Sequence, residues 1–377
     1  NDIDNWMDIV EKGSDLIQTG IVTSYQNFHR FFVEEYLPKT RDEIGASSLP
    51  DGEEYYQHMI RHHTTTRLTA EQIHNTGLEE VERIHAEMVD VMKASGWVGS
   101  FSDFLIFLRT DSQFYYDNEH DLLTGYRDIC KRADPELSKL FGTLPRTPYG
   151  VKPIPDYQAL SSPTAYYYGP SSDGERPGYF WANTYNLTVR PKYEMEVLAL
   201  HEAVPGHHLQ IALANELENV PEFRKHSGYT AFVEGWALYS ESLGEQMGMY
   251  EDPYSKFGQL TYEMWRACRL VIDTGIHAMG WTREQAITYM AENTAKTMYD
   301  IEVEIDRYII WPGQALAYKI GELKIKEIRI KAEEVLGDRF DIREFHDHIL
   351  KNGSIPLNLL EEIMMEYIHE KSNSPSV

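Results

Sequence analysis

Leu198-Ala199-Leu200-His201-Glu202-Ala203-Val204-Pro205-Gly206-His207-His208-Leu209-Gln210 sets a histidine–glutamate pair one helical turn ahead of a proline, with two more histidines directly after a glycine. In the common HExxH arrangement two histidines four residues apart share one helical face and hold one zinc ion, and the adjacent glutamate serves as general base. Here Pro205 stands at the fourth position. It has no N–H for the carbonyl of His201, and its ring pushes against that carbonyl, so the helix is expected to open one turn after His201. Gly206 tolerates backbone angles that other residues resist. An opening that absorbs two extra residues as a bulge brings His207 to the place of the fourth residue of a regular turn. In an unbroken helix His207 would sit about 240° around from His201, and His208 would face the same way but ~10.5 Å further along, too far for two Zn–N bonds of ~2 Å. The spacing therefore pairs His201 with His207 and keeps His208 as the neighbouring alternative.

A third ligand is expected from another helix. Phe232-Val233-Glu234-Gly235-Trp236-Ala237-Leu238-Tyr239-Ser240-Glu241 carries a carboxylate on an amphipathic stretch, with Gly235 and Ala237 small enough for close helix approach. Glu234 is the candidate ligand, and Glu241, seven residues on and on the same face, is the candidate partner of a ligand histidine or the substitute ligand. Two histidines and one carboxylate leave a fourth position for water, as a catalytic zinc requires. Glu202 is then the expected base, taking a proton from a water that attacks a polarised carbonyl. Oxyanion stabilisers and substrate contacts are sought where polar residues interrupt apolar helix: Asp273, His277, Arg307, Tyr308, Gln314 and Tyr318. Of these, His277 and Tyr318 are taken as catalytic candidates beside Glu202. Arg176 and Asn183, on a turn and extended run just before the metal helix, are candidates for holding an extended peptide along a strand edge.

The scaffold predicted around these motifs is mainly α. Apolar residues three and four apart mark helices over 71–93, with Thr69 as N-cap, and over 103–116, 119–132, 192–217, 229–247, 253–278, 283–298, 313–336 and 356–370. Seven prolines between 144 and 190 forbid long helices there, and runs at 164–168 and 178–185 flanking a Gly/Pro/Ser-rich turn predict a β-hairpin or small sheet, a β/loop insertion ahead of the metal helix. The tail from Ser372 to Val377 is expected to fray. His62, His63, His346 and His348, without a carboxylate at metal spacing, are expected on the surface.

Composition narrows the functional classes. In 377 residues, 35 Lys plus Arg face 60 Asp plus Glu, a formal charge of −25 that repels nucleic-acid backbones and anionic lipid. Two cysteines, Cys130 and Cys268, give no disulfide framework or thiolate cluster. No apolar run approaches the ~20 residues that a membrane-spanning helix needs.

HEAVPGHHLQ, VEGWALYSE, DTGIHAMGWT and RYIIWPGQALAYKIG, in that order, resemble the bacterial domain-of-unknown-function family 885, regarded as gluzincin-like zinc metallopeptidases. The resemblance covers nearly the whole chain. It implies a gluzincin-like helical metallopeptidase scaffold forming one catalytic domain over 1–377, one zinc ion per chain, and functional residues at His201, Glu202, His207 and Glu234. It further implies that the chain corresponds to the C-terminal two thirds of a longer protein, and a periplasmic or envelope-lipoprotein location. In the related dipeptidyl peptidase motif HExxGH the two histidines are spread by one extra residue; here the spread is two. The expected activity is hydrolysis of short peptides. The alternatives are a catalytically silent metal-containing binding or envelope protein, and a zinc hydrolase of non-peptide amides or esters.

Overall fold

The structure, a computed structural model, describes residues 2–171, 174–218, 220–226 and 228–373. It separates into two compact units, Asn1–Ile44 and Gly45–Val377. The first is helical, with Asp2–Leu16 and Thr23–Phe31 as α-helices and wider turns at Ile17–Val22 and Phe32–Tyr36.

The larger unit carries all the motifs above. Its longer helices are α1 (Gly52–Thr64), α2 (Ala70–Ala94), α3 (Phe101–Thr110), α4 (Glu119–Ala133), α5 (Met195–Glu202), α6 (His207–Asn215), α7 (Thr230–Leu243), α8 (Pro253–Met279), α9 (Arg283–Asn293), α10 (Met298–Ile310), α11 (Ala317–Leu336), α12 (Ile342–Leu350) and α13 (Leu357–Asn373). The mainly helical fold is the predicted one. α2 starts where Thr69 closes a capping box: its side chain accepts from Gln72 N while the Gln72 amide oxygen accepts from Thr69 N. Its buried Ile73, Val81, Ile84, Met88 and Met92 form one apolar stripe against α8. Residues 374–377 of the tail lie outside the described residues, and Ser372 and Asn373 complete α13.

Two contacts position the metal motifs. α7 crosses α11 where Gly235 meets Gly321; a Cβ on Gly235 would stand 2.5 Å from the Gly321 Cα. Only hydrogens at both positions allow this approach, and Glu234 is the adjacent residue. α5 is buried on nearly every side, with Val197, Leu198, Leu200 and His201 all in the interior. Full burial of each aliphatic side chain contributes about 1.5–3 kcal/mol, so the helix ending in His201-Glu202 is held firmly.

The sheet has three strands, β1 (Tyr149–Pro153), β2 (Ala165–Tyr168) and β3 (Gly178–Ala182), in the order β1-β3-β2. β3 pairs parallel to β1 and antiparallel to β2. The predicted hairpin is therefore present, but β3 is the central strand. This corrects the expectation that the 176–184 run offers a free edge to a peptide, since both of its edges are already hydrogen bonded. Asn183 is corrected with it: at 1% exposure, its Nδ2 donates to Ala159 O, Ser162 O and Pro163 O, and its Oδ1 accepts from Tyr185 N. It ties the loop before β2 to the end of β3. Arg176 packs its guanidinium over the Tyr168 ring, 4.5 Å from the centroid. Residues 172 and 173 of the intervening turn lie outside the described residues.

His63 and His346 are buried, contrary to expectation. His346 sits in a directed chain: Arg329 Nη1 donates to Tyr239 Oη at 3.0 Å, the hydroxyl to His346 Nε2 at 2.8 Å, and His346 Nδ1 to Leu140 O at 2.8 Å. Burial pushes its pKa down to about 3, and pushes that of His208 down to about 4. An unfolded histidine takes up its proton near pH 6.5. Their stabilising effect is thus intact above pH 6.5 and is lost as pH falls toward 4. Between pH 7 and pH 5 urea unfolding is expected to show a loss on the order of 2 kcal/mol from each of these two imidazoles, offset in part by His201, whose raised pKa acts in the opposite sense. Most carboxylates titrate below that window, so the loss there is carried by imidazoles.

Candidate metal centre

The helix opens where Pro205 requires it. Ala203 N still bonds Ala199 O at 2.9 Å, but the next link runs from Gly206 N to Leu200 O at 2.9 Å, six residues back instead of four. The two-residue bulge is visible in that one bond. His208 N then bonds Ala203 O at 3.0 Å, and α6 begins at His207. The Val204–Pro205 peptide is cis. The Pro205 carbonyl, in the opening, finds its donors on α7: Trp236 Nε1 reaches Pro205 O at 2.9 Å and Ser240 Oγ at 3.3 Å. α7 thus supplies a candidate ligand and also clamps the opening that makes the histidine pair possible.

His201, His207 and Glu234 come together. The Glu234 Oε2 atom lies 3.6 Å from His201 Nε2 and 3.5 Å from His207 Nε2, and the two imidazole planes stand at 88°. These separations exceed normal hydrogen bonds. Ligand atoms ~2.0–2.1 Å from a common tetrahedral centre would lie about 3.3–3.4 Å apart. The three atoms therefore fit a shared small cation better than they fit one another, and they form a group able to hold a metal ion among the described residues. Two imidazoles and a carboxylate also suit zinc chemically.

Each ligand has a support. His201 Nδ1 donates to Glu241 Oε1 at 2.7 Å, and Arg266 Nη2 lies 3.3 Å from the same oxygen. The Gln210 side-chain nitrogen lies 3.1 Å from His207 Nδ1 and donates to Val233 O at 2.7 Å, tying α6 to the residue before Glu234. Burial alone would lower the His201 pKa, but the carboxylates of Glu234 and Glu241 hold it up, to about 9. Burial would raise Glu234, and His201 and His207 hold it well below the usual carboxylate range. Glu234 is the opening to solvent, with its side chain 19% exposed against 5% for His201.

Glu202 is 7% exposed and, among the described residues, has no hydrogen-bond or ion-pair partner. His208 turns away: its Nδ1 is bonded to the Tyr167 hydroxyl at 2.8 Å and its ring packs on Tyr149, which leaves His207 as the histidine that joins the cluster. Tyr318 lies at the edge of the site. Burial raises its phenol pKa and the Glu234 charge raises it further, while Gln314 Nε2 reaches its oxygen at 3.5 Å. Arg307 Nη1 donates to Gln314 Oε1 at 2.6 Å.

Three other candidates are corrected. His277 uses both ring nitrogens structurally, accepting from Ala46 N at 3.1 Å and donating to Tyr308 O at 3.0 Å, so neither is free for a substrate proton. Asp273, fully buried, accepts from the Tyr56 hydroxyl at 2.6 Å and from Gly313 N at 3.0 and 3.2 Å; it fixes the turn leading to α11. The Tyr308 hydroxyl accepts from Trp265 Nε1 at 2.9 Å and Arg269 Nε at 2.8 Å inside the core. The sequence reading gives no part to Trp236, Ser240, Gln210, Arg266 or Arg269. Trp236 and Ser240 lie within its second motif, but only the position of the freed Pro205 carbonyl reveals their part.

Residues 2–364 match the model of a family described as "Bacterial protein of unknown function (DUF885)". Among solved structures, a "putative lipoprotein" from Colwellia psychrerythraea is similar at 38% identity with a TM-score of 0.91, over 94% of this chain and 61% of that one. A second, a "putative lipoprotein of unknown function" from Shewanella oneidensis, is 21% identical with a TM-score of 0.71, over 94% of this chain and 65% of that one, and shares the fold. The chain thus spans less than two thirds of the length of either. Comparison with curated proteins gives no match.

Proposed function

We propose that this chain, which belongs to the bacterial protein family of unknown function DUF885, is a zinc-dependent hydrolase of peptide bonds in short peptides. The observation that carries the reading is the convergence of His201 Nε2, His207 Nε2 and Glu234 Oε2 on one point, with the adjacent Glu202 unpaired among the described residues. A zinc ion held by those three residues would polarise the scissile carbonyl and lower the pKa of a water toward ~7.

The chain's own groups then do the rest. Glu202, with no competing partner among the described residues, accepts the proton of the attacking water and returns it to the departing amine. Tyr318, whose raised pKa keeps it protonated at neutral pH, donates a hydrogen bond to the developing oxyanion. Glu241 holds the proton of His201 on Nδ1, which leaves Nε2 as the coordinating nitrogen. An envelope location belongs to the same reading, supported by the description of both similar proteins as lipoproteins.

Metal analysis of the purified protein together with digestion of a peptide library is the test. One zinc per chain, loss of cleavage on chelation and recovery on adding back one equivalent are expected. Stoichiometric zinc without cleavage of any peptide would reject the peptidase reading.

A further inference from the structure

Two guanidinium groups lie behind Tyr318 and divide one carboxylate between them. Arg269, on α8, is 3% exposed and sandwiched between the rings of Trp265 at 4.5 Å and Tyr318 at 4.2 Å. Its Nη2 donates to Glu304 Oε2 at 2.9 Å, and its buried Nη1 has no hydrogen-bond partner among the described residues. Arg307, on α10, uses the same carboxylate, through Nη2 to Oε2 at 2.9 Å and Nε to Oε1 at 3.3 Å. Burial would raise the Glu304 pKa, yet Arg307 and Arg269 hold it down to about 2, so it supplies one full negative charge to two positive ones. Asp273, which also acts on Arg307, has its oxygens on Tyr56 and Gly313. A guanidinium kept from water is costly unless an anion completes its hydrogen bonds.

Tyr318 fixes where this excess charge lies. Its phenol feels Glu234 of the metal cluster together with Arg269 and Arg307, and the path Arg307–Gln314–Tyr318 is two hydrogen bonds long. Arg307 is the reachable member of the pair, its side chain 25% exposed against 4% for Arg269. A planar guanidinium fork matches a carboxylate in two parallel hydrogen bonds, which a lysine cannot reproduce.

We propose that Arg307, backed by Arg269 and Gln314, binds the C-terminal carboxylate of the substrate and so restricts the site to peptides that end within a few residues of the scissile bond. Arg307 and Tyr318 both hydrogen bond the Gln314 side chain, so only a short stretch of extended peptide, which advances ~3.3–3.6 Å per residue, separates them. The proposal rests on the hydrolase reading for its direction, but binding can be measured apart from turnover. The zinc-loaded Glu202→Gln protein is titrated calorimetrically with tetra-alanine as free acid, with its C-terminal amide, and with an amide whose last residue is glutamate. The free acid is expected to bind about 30-fold or more tightly than either amide. Arg307→Gln should abolish the difference, while Arg307→Lys, which keeps the charge and controls for loss of fold, should retain part of it. Equal affinities, or binding of neither the acid nor its amide, overturn the proposal, and a glutamate-ended amide binding as well as the free acid overturns it in favour of a side-chain carboxylate. Wild-type protein that cleaves acid and amide equally would overturn it while leaving the hydrolase reading intact. Arg307-dependent binding of the acid without any wild-type turnover would support it and reject the hydrolase reading.

Discussion

Glu202→Gln is expected to keep one equivalent of zinc while kcat on a cleavable peptide falls by about 10²–10⁴, the contribution typical of a positioned general base. The substitution is nearly isosteric. Since Glu202 makes no hydrogen bond or ion pair to a described residue, no buried partner is orphaned and the fold should hold. The expected pattern is therefore retained stoichiometric zinc with a lost rate, the sign of an interaction made only in the transition state. Parallel loss of zinc would place Glu202 among the ligands, and undiminished turnover would remove it from the mechanism. The two measurements needed are a competitive zinc titration and initial rates on the same preparation.

Much of this arrangement was legible in the sequence because it is local. Proline at the fourth position forces an opening whatever surrounds it, and the Gly206-to-Leu200 hydrogen bond has the length that two extra residues require. The capped start of α2 and its apolar stripe are likewise fixed within a few residues. What was not legible depends on partners far away in the chain. β1 runs from just after Pro148 to Pro153 and gains its hydrogen bonds from β3 in parallel register, about thirty residues on, so no hairpin signal marks it. His277 and Asp273 look like site residues in an apolar helix, but Ala46, Tyr56 and Gly313 use up their polar atoms. α10 escaped notice because its apolar residues face two ways, with Ile301, Ile305 and Tyr308 inside and Val303 and Ile310 outside, which blurs the helical period.

Gly206→Ala is expected to damage stability and metal affinity together, because both depend on the same turn. Gly206 has φ −78° and ψ −126°, and a Cβ there would meet His201 O at 2.0 Å and Leu200 O at 2.4 Å. Both obstacles are backbone carbonyls, so no side chain can swing aside. One of them, Leu200 O, accepts the Gly206 N–H that closes the bulge. Relief requires either that the end of α5 retreat, taking His201 with it, or that the start of α6 shift, taking His207. Either movement widens a ligand separation that is now 3.5–3.6 Å to Glu234, whereas coordination tolerates only ~0.2 Å in each bond. Overpacking of this kind costs about 1–3 kcal/mol and more where backbone must move, and zinc affinity should fall by at least tenfold, the scale of a disturbed ligand support. Gly13→Ala is the control: it lies within a helix with nothing within 4 Å of the added methyl and should be neutral or slightly stabilising. A Gly206→Ala protein with wild-type zinc affinity and an unchanged unfolding midpoint would show that the histidines can meet without this opening, and the geometric basis assigned to the site would be wrong.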